Sequence, residues 1–387
     1  MNVIQQGDVK ATPSMPASIA LVGPLPPPSG GMANQTMQLA RLLEEEGCRV
    51  TLVQTNRPYR PLWVAHFRGV RALFRLAPYL RALWRAMDDA DLVHVMANSG
   101  WAWHFFAAPA IWIGWLRGRP VVVNYRGGAA QAFLDRQWIL VRPTLQRAAC
   151  LIVPSRFLQR VFEARKVRVE IVPNIVDLAR FYPSDRVGRG WHVIVARNLE
   201  DIYDIPTALR AFAVVHRRHP HARLTVVGSG PALIMLERLA DELALRGAVT
   251  FTGRLDNARM ADVYRSADLA LNPSRVDNMP ISLLEAMASG VPIVSTNAGG
   301  IPDMVDDGKT ALLVPVGDWQ AMAEAALRVL ENVQLASSLR AAGVEAAQRY
   351  TWNAVAPLLH GCYASVGTMR NAAAHQRIGQ DDLKQPG

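Results

Sequence analysis

The chain alternates short, wholly apolar runs with longer amphipathic stretches, and it does so twice. In the first half, IALVG (19–23), VTLVQT (50–55) and DLVHVMA (91–97) have the length and hydrophobicity of strands buried on both faces. Helix-like patterns separate them, and this order predicts parallel strands joined by right-handed crossovers. The alternation restarts at WHVIVAR (191–197), after a Pro- and Gly-rich segment at 182–190. The sequence therefore predicts an α/β protein with two doubly wound, Rossmann-like domains.

Breaks in this alternation set the predicted domain boundaries. The first residues and the last ones are polar, and the segment at 182–190 reads as a linker. In chain order we predict a flexible N-terminus at 1–17, an N-terminal domain at 18–182, a C-terminal domain at 191–350, a helix at 351–366 and a disordered tail at 370–387.

The charge of the chain is concentrated in its first half. The net charge is +10, and residues 17–180 carry 21 basic side chains against 10 acidic ones. A basic half favours an anionic partner, such as a phosphorylated ligand, a lipid headgroup or nucleic acid.

Residues that would hold a metal or a disulfide framework are sparse. Three widely spaced cysteines argue against a disulfide framework and a CxxC zinc site, and they fit a reducing compartment. No HExxH motif or histidine cluster indicates a metal, so we predict a metal-free site and no resident cofactor. Residues 1–17 lack the apolar run of a signal peptide, and we expect a cytoplasmic protein.

An arginine-rich segment follows the second predicted strand. Residues 57–85 contain seven arginines and no acid, and apolar residues recur there at helical spacing, as Trp63, Phe67, Val70 and Phe74. A basic amphipathic helix of this kind is typical of proteins that lie on anionic membranes. A packed helix with an arginine-rich solvent face is the alternative. Nucleic acid is not favoured, because no recognition motif accompanies the charge.

Loops at the carboxyl ends of the strands are the candidate sites, since open α/β sheets bind ligands there. The first, SGGMAN, places Gly30 and Gly31 immediately before a predicted helix. A glycine pair allows close backbone approach, and a helix N-terminus attracts anions, which together favour a phosphate. A turn without a ligand is an equally good interpretation.

The second candidate is the run from 272 to 305. Asp277 precedes a predicted helix that starts near Pro280, and Glu285 lies eight residues later, on the helix itself. Two carboxylates at this spacing could each hold hydroxyl groups, on either side of a phosphate bound at the helix N-terminus. The alternative is a capping acid plus a surface glutamate. Glu285 argues against it, because its neighbours on both sides are apolar.

The whole run resembles the characteristic motif of retaining glycosyltransferases of the GT-B fold, family 4. The segments PSRFLQRVFEARKVRVEIVPNIVDLARF, LTVVGSGP and VTFTGRL are also similar to that family, and the resemblance covers about residues 18–365. It implies two Rossmann-like domains facing a cleft, with the helix at 351–366 returning to the N-terminal domain. The matching residues are Pro273, Ser274, Asp277, Pro280, Glu285, Ala286, Met287, Ala288, Gly290, Pro292, Gly299 and Gly300.

The resemblance implies a role for each candidate residue. Glu285 would bind the ribose hydroxyls of a nucleotide, Asp277 would contact the sugar, and Arg197 would meet the donor diphosphate. Asp277 stands where the family has glutamate, so the sugar contact differs in reach. The remaining donor-binding groups would be the amides of the glycine pair and of the turn before the helix, namely Gly30, Gly31, Asn278, Met279, Pro280 and Ile281.

Three positions depart from the family pattern or need a choice. The family pairs the arginine matched by Arg197 with a lysine five residues on, where this chain has Ile202. Arg126 stands where the family often has histidine; it could replace the missing cation, contact the sugar or acceptor, or be a structural arginine. His94 keeps a position where histidine is common, and it is either catalytic or a packed, hydrogen-bonded side chain.

The resemblance implies a metal-independent transferase that moves a sugar from a nucleotide-sugar to an acceptor hydroxyl with retention at the anomeric carbon. With residues 57–87 on an anionic membrane, we expect a lipid-linked glycan acceptor from cell-surface polysaccharide synthesis and a peripheral location at the inner face of the cell membrane. Two alternatives stay open: a catalytically silent nucleotide-sugar-binding subunit, and a nucleotide-sugar epimerase of the same fold.

Overall fold

The described part of the chain forms two six-stranded sheets, and every strand pairing found in it is parallel. The computed structural model describes residues 15–27, 30–57, 71–184 and 190–381. Helices cover both faces of each sheet, so the strands are buried on both sides, as the unbroken apolar runs require. The α/β, two-domain prediction is confirmed.

The first sheet has the strand order β2-β1-β3-β4-β5-β6, and the order reverses next to β1. Such a reversal opens a crevice at the carboxyl ends of the strands. The strands are β1 (Ser18–Gly23), β2 (Arg49–Gln54), β3 (Leu92–Ala97), β4 (Val121–Tyr125), β5 (Cys150–Val153) and β6 (Glu170–Ile171).

The helices of this half form two layers, one on each face of the sheet. One layer packs into a core with Val93, Val95 and Val121, and the other packs against Ile19, Leu21 and related strand residues. The first layer contains α2 (Arg71–Ala86), a π-helical turn (Trp103–Ala107) that continues into α3 (Ala108–Leu116), α4 (Ala130–Leu145) and α5 (Arg156–Glu163). The second contains α1 (Gly31–Glu45) and α12 (Trp352–Asp381).

The second sheet has the order β12-β11-β10-β7-β8-β9, again with a reversal, here next to β7. Its strands are β7 (His192–Ala196), β8 (Arg223–Val227), β9 (Val249–Gly253), β10 (Leu269–Asn272), β11 (Ile293–Thr296) and β12 (Leu312–Val314). Its helices are α6 (Ile205–Arg218), α7 (Leu233–Glu242), α8 (Asn257–Ser266), α9 (Ile281–Ala288), α10 (Trp319–Glu331) and α11 (Val333–Ala347), with short 3₁₀ turns at Asp201–Tyr203, Ile301–Asp303 and Gln348–Tyr350.

The last helix crosses from the second half of the molecule back to the first. Val355, Leu359 and Tyr363 of α12 are buried in the core that contains Ile19 and Leu21 of β1. The helix is longer than predicted: we expected disorder from residue 370, but it continues to Asp381. The run of three alanines at 372–374 favours helix, which explains the extension.

Two segments for which the sequence made predictions lie outside the described residues. They are the N-terminal residues 1–14 and the positions 58–70, which include Trp63, Phe67 and Val70 of the expected amphipathic helix. Within the described ranges, no helix combines the length and the hydrophobicity needed to span a bilayer.

Candidate active site

The candidate site is built on the loop that joins β10 to α9. Asn272, the last residue of β10, donates from Nδ2 to Oγ of Ser295 at 2.8 Å, and Thr296 donates to the carbonyl of Ser274 at 2.6 Å. Ser274 in turn donates to Oδ1 of Asn272 at 2.9 Å. These bonds tie the start of the loop to β11, so the following residues project from a fixed base at the carboxyl ends of the strands.

Arg197 and Asp277 form an ion pair at the base of this loop. Nη2 of Arg197 lies 2.6 Å from Oδ2 of Asp277, and the two side chains are only 10% and 13% exposed. Nε of Arg197 donates to Oδ1 of Asn272 at 2.8 Å, which fixes the plane of the guanidinium. The contact through Nη2 is not an aligned hydrogen bond. The bond to Asn272 and the ion pair with Asp277 therefore fix the orientation of Arg197.

The glycine pair after β11 lies directly on the backbone of this loop. A Cβ atom at Gly299 would stand 1.9 Å from the carbonyl oxygen of Asp277, and one at Gly300 would stand 2.2 Å from that of Asn278. Gly299 also has φ +55, in the left-handed region. The amide of Gly300 donates to the carbonyl of Asp277 at 3.1 Å. The glycines are thus required for the position of the Asp277 backbone.

Glu285 lies in the second turn of α9, partly buried, on the wall of a cavity between the two halves of the molecule. Burial raises the pKa of its carboxyl group to about 8, while the Tyr264 hydroxyl and the charges of Arg197 and Arg180 act in the opposite direction. Ligand groups that donate hydrogen bonds to this carboxylate would favour its ionised form.

The cavity has a volume of about 390 Å³ and takes its lining from both domains. Ile281 and Asn257 belong to the C-terminal half, and Asn34 and Gln38 to α1. Nδ2 of Asn34 donates to Oδ1 of Asn257 at 2.9 Å, which bridges the two halves beside the cavity.

Two helix N-termini meet across the cleft. Gly30 precedes α1 and Pro280 precedes α9, and no side chain among the described residues caps either helix. A Cβ atom at Gly31 would lie 3.3 Å from Cδ1 of Ile281, so the first turns of both helices are adjacent. Free N–H groups at two converging helix N-termini favour an anion.

Arg126, immediately after β4, reaches the same loop from the N-terminal half. Its Nε donates to Oδ1 of Asn124 at 3.1 Å, and its Nη1 donates to Oδ1 of Asn174. Nδ2 of Asn174 donates to the carbonyl of Met279 at 2.7 Å, which connects the arginine to the residues before α9. Burial lowers the pKa of Arg126 to about 10, and no carboxylate of the described residues forms an ion pair with it. Arg126 is thus a partly buried cation whose side-chain partners are the amides of Asn124 and Asn174.

Asn278 and Met279 use their side chains to join the domains. Ser155 donates to Oδ1 of Asn278, and the amide of Asn174 lies 3.4 Å from Sδ of Met279. Both residues are nearly fully buried. Their predicted contribution to donor binding would therefore come from the backbone.

His94 does not reach the cleft. It is 0% exposed; its Nδ1 lies 2.7 Å from the Tyr363 hydroxyl, and its Nε2 is 3.2 Å from Nδ2 of Asn124. Burial and the charge of Arg126 lower the pKa of His94 to about 3, so the ring is neutral. The predicted catalytic contact has no geometric support, because both ring nitrogens face protein partners. His94 instead connects α12 to Asn124, the residue that orients Arg126.

The position of the absent lysine offers no substitute cation. Ile202 is 46% exposed in the 3₁₀ turn at Asp201–Tyr203. The amide of Arg275 donates to the Ile202 carbonyl, but the Arg275 side chain pairs with buried Asp204 at 3.0 Å.

Three residues of the site escaped the sequence reasoning. Asn124, Asn174 and Asn272 each place an amide group at or near the end of a strand and orient an arginine or the loop. A polar residue closing an apolar strand, as in ADLALN, is the signal that could have identified them. Among the described residues, no three His, Cys, Asp or Glu side chains lie together as a metal would need.

Two family models match the two halves of the chain. The model for "Glycosyltransferase Family 4" matches residues 29–180, and that for "Glycosyl transferases group 1" matches residues 184–346. The chain belongs to glycosyltransferase family 4. As a member, it is a nucleotide-sugar-dependent transferase with the GT-B fold.

Several characterised proteins are similar to this family 4 glycosyltransferase. A phosphatidyl-myo-inositol mannosyltransferase of Mycolicibacterium smegmatis is 27% identical over 87% of this chain and 90% of its own length. A D-inositol 3-phosphate glycosyltransferase of Corynebacterium jeikeium is 30% identical, over 56% of this chain and 57% of its own.

Solved structures show the same fold. A sucrose-phosphate synthase of Thermosynechococcus elongatus superposes with a TM-score of 0.75 at 22% identity, covering 91% of this chain and 99% of the other. Anabaena HepE in complex with UDP and glucose superposes with a TM-score of 0.68 at 17% identity, covering 94% and 100%.

Gly299→Ala tests whether the glycine pair positions the site. We expect it to lower the free energy of unfolding by at least about 1 kcal/mol, because the positive φ and the contact of the Cβ with the Asp277 carbonyl both destabilise the fold. We expect turnover of the donor to fall at least tenfold, because the Cβ displaces that carbonyl. Gly308→Ala is the matched control, since Gly308 has φ +73 but open space around it. Urea unfolding and nucleotide release measure the two effects. Equal turnover in both variants would show that the close approach of Gly299 to the Asp277 carbonyl is not needed for activity.

Proposed function

We propose that this glycosyltransferase moves a sugar, with retention at the anomeric carbon and without a divalent metal, from a nucleotide-sugar to a hydroxyl of a lipid-linked glycan used in cell-surface polysaccharide synthesis. The observation that carries the proposal is the convergence of Arg197 and two uncapped helix N-termini beside the cavity lined by Glu285. This arrangement suits a diphosphate flanked by a nucleoside.

The nucleoside would occupy the cavity between the domains. Glu285 would accept hydrogen bonds from the ribose hydroxyls, which favour its ionised form, and Arg180 stands near enough to support that charge. The volume of about 390 Å³ lies in the range of small-molecule sites. The UDP complex of Anabaena HepE, a protein of the same fold, supports a nucleotide as the ligand.

The diphosphate leaving group would receive its positive charge from the protein. Negative charge develops on it as the glycosidic bond breaks, so fixed donors at that point stabilise the transition state. Arg197 and the amides at the starts of α1 and α9 would supply these donors. Arg126 would add the cation that the family takes from the lysine absent at Ile202. It is partly buried, has no acidic partner among the described residues, and is connected through Asn174 to the residues before α9.

The distribution of carboxylates supports retention. An inverting displacement needs a general base to activate the acceptor hydroxyl on the side opposite to the leaving group. Among the described residues, the side chains of the N-terminal half that are bonded to the β10–α9 loop are those of Asn174 and Ser155, and neither is such a base. Asp277, the proposed sugar contact, is held by Arg197. An epimerase would need acid and base carboxylates, and the N-terminal half brings none of its described carboxylates into a bond with this loop.

A membrane-bound acceptor is supported by charge and by one relative. Residues 57–85 carry seven arginines and no acid, which favours an anionic surface. The mannosyltransferase of Mycolicibacterium smegmatis is named for a phosphatidyl-inositol substrate. We propose a cytoplasmic protein held peripherally at the inner face of the membrane, with the acceptor glycan entering the cleft from the lipid.

Glu285→Gln tests the donor site. We first identify the donor by thermal shift with UDP-, GDP- and ADP-sugars, and follow transfer or slow hydrolysis with nucleotide release, in EDTA and in Mg²⁺. The affinity of the wild type for the nucleotide-sugar should rise with pH and level off above about 8. The ribose hydroxyls bind the ionised Glu285 carboxylate, so this group must lose its proton before the donor binds. The glutamine variant should bind at least tenfold more weakly at high pH and lose this pH dependence.

The outcomes separate the competing functions. Unchanged affinity of Glu285→Gln for the nucleotide-sugar would remove Glu285 from the donor site. Binding of a donor by the wild type without any turnover would favour the silent nucleotide-sugar-binding subunit. Turnover that EDTA abolishes and Mg²⁺ restores would contradict the metal-free site. The configuration of the product's new linkage, read by NMR, decides between retention and inversion.

Arg126→Ala tests the compensating cation. Loss of one charge-stabilising group at the leaving phosphate should lower turnover by on the order of 10²-fold. Arg136→Ala is the control, because Arg136 is an exposed arginine of α4 in the same half of the molecule. Nucleotide release at saturating donor measures both variants. If both lose little activity, Arg126 is structural.

A further inference from the structure

The outer surface of the helical layer α2–α4 exposes large apolar side chains. Trp101 is 75% exposed and Ile139 is 86% exposed, values unusual for residues of this size in a folded domain. We call the whole set the aromatic face; it comprises Trp84, Trp101, Phe105, Trp115, Leu116, Ile139 and Leu140. Among the large exposed apolar residues described for the N-terminal half and its returning helix, those outside the set are Met37 of α1, Tyr182 and Leu358 of α12.

Contacts between the three helices place this set of side chains on one helical layer. The guanidinium of Arg117 lies over the Trp84 ring at 4.6 Å and so joins the ends of α2 and α3. Arg147, after α4, lies over the Trp115 ring at 4.9 Å, and Trp112 donates to Oγ1 of Thr144 at 3.0 Å. At the other end of α3, Trp101 stacks on Phe105 with ring centroids 5.4 Å apart. The helices share one core on their inner side.

The charge around the aromatic face is basic. Residues 71–149 contain ten arginines and four aspartates, with no lysine and no glutamate. Exposed arginines flank the apolar residues, and two of the aspartates are engaged, Asp88 with Arg117 and Asp135 with Arg165. The exposed arginines are Arg81, Arg85, Arg136 and Arg142.

This composition favours a lipid bilayer as the occupant. Trp side chains are typical of the bilayer interface, and Arg side chains beside them reach anionic headgroups while their stems cover apolar surface. A second copy of the chain docked through the same face would bring arginines against arginines, which opposes a symmetric dimer. Of the other described helices of this half, α5 lies in the same layer, and α1 and α12 lie on the opposite side of the sheet.

We propose that the aromatic face lies on an anionic membrane and holds the cleft at the bilayer surface. Trp101 and Phe105 follow β3 closely, at the carboxyl ends of the strands where the candidate site lies, so the face extends to the rim of the cleft. This deepens the proposed function, on which it rests for the lipid-linked acceptor. It adds α3, the π-helical turn before it and α4 to the arginine-rich segment 57–87, which already contains α2.

Vesicle flotation of the full-length protein tests the proposal. The vesicles contain equal parts phosphatidylglycerol and phosphatidylcholine, with pure phosphatidylcholine as the neutral reference. The test variant combines Trp115→Ser, Leu116→Ser, Ile139→Ser and Leu140→Ser. Its partition constant between water and the anionic vesicles should be at least about tenfold lower than that of the wild type, because less apolar area enters the headgroup region. The segment before α2 is unchanged in this variant.

The matched control removes exposed apolar residues from the other domain. Ile234 and Met235 on α7 are 65% and 45% exposed, so Ile234→Ser/Met235→Ser should leave flotation unchanged. Donor hydrolysis, which needs no acceptor, should be equal in all three proteins. It reports on the catalytic site, so its absence in the wild-type protein would contradict the proposed function without bearing on membrane contact.

Three results would overturn the proposal. If the four-residue variant floats like the wild type, the aromatic face does not make the membrane contact. If the wild type floats no better with anionic than with neutral vesicles, the protein does not bind an anionic membrane. A wild-type dimer in sedimentation that the same variant converts to monomer would make the face a contact between copies of this chain. Thermal unfolding of each variant shows that a lost signal does not come from a lost fold.

Discussion

The ion pair between Arg197 and Asp277 is the constraint on which the rest of the site depends. Two charges at 10% and 13% exposure are costly to remove from water, and their attraction is favourable only with well-placed hydrogen bonds around them. Asn272 supplies one to the arginine, and the Asn278 amide supplies another to the carboxylate. The loop is therefore fixed where it passes Asp277, and α9 with Glu285 follows at a defined place.

A network of hydrogen bonds connects this loop to the N-terminal domain. Met279, two residues after Asp277, accepts from Asn174, which holds Arg126, and Arg126 is oriented by Asn124. Asn124 contacts His94, and His94 contacts Tyr363 of the returning helix. A neutral histidine suits this position, since a second cation near Arg126 would be repelled. The helix that closes the chain thus supports a cleft residue through buried hydrogen bonds.

The parts of the fold that depend on local sequence pattern could be predicted from the sequence. Apolar runs predicted the strands, and the resemblance to family 4 implied that Arg197 and Asp277 share one site, where the structure pairs them. Partners that meet only in the folded chain could not be predicted. Asn174 and Met279 are 105 residues apart, and the bond between His94 and Tyr363 spans 269. The role of His94 and the partners of Arg126 therefore became visible only in the structure, as did the continuation of α12 past residue 370.

The most direct measurement is the affinity of Asp277→Asn for the nucleoside diphosphate of the donor, by calorimetry, beside its rate of sugar transfer. Asparagine keeps the shape of the side chain and removes the charge that compensates Arg197. If Arg197 binds the diphosphate and Asp277 contacts the sugar, diphosphate affinity stays the same or rises while transfer falls by on the order of 10²-fold. A parallel loss of affinity and transfer would contradict this, because the pair would then only hold the loop in place.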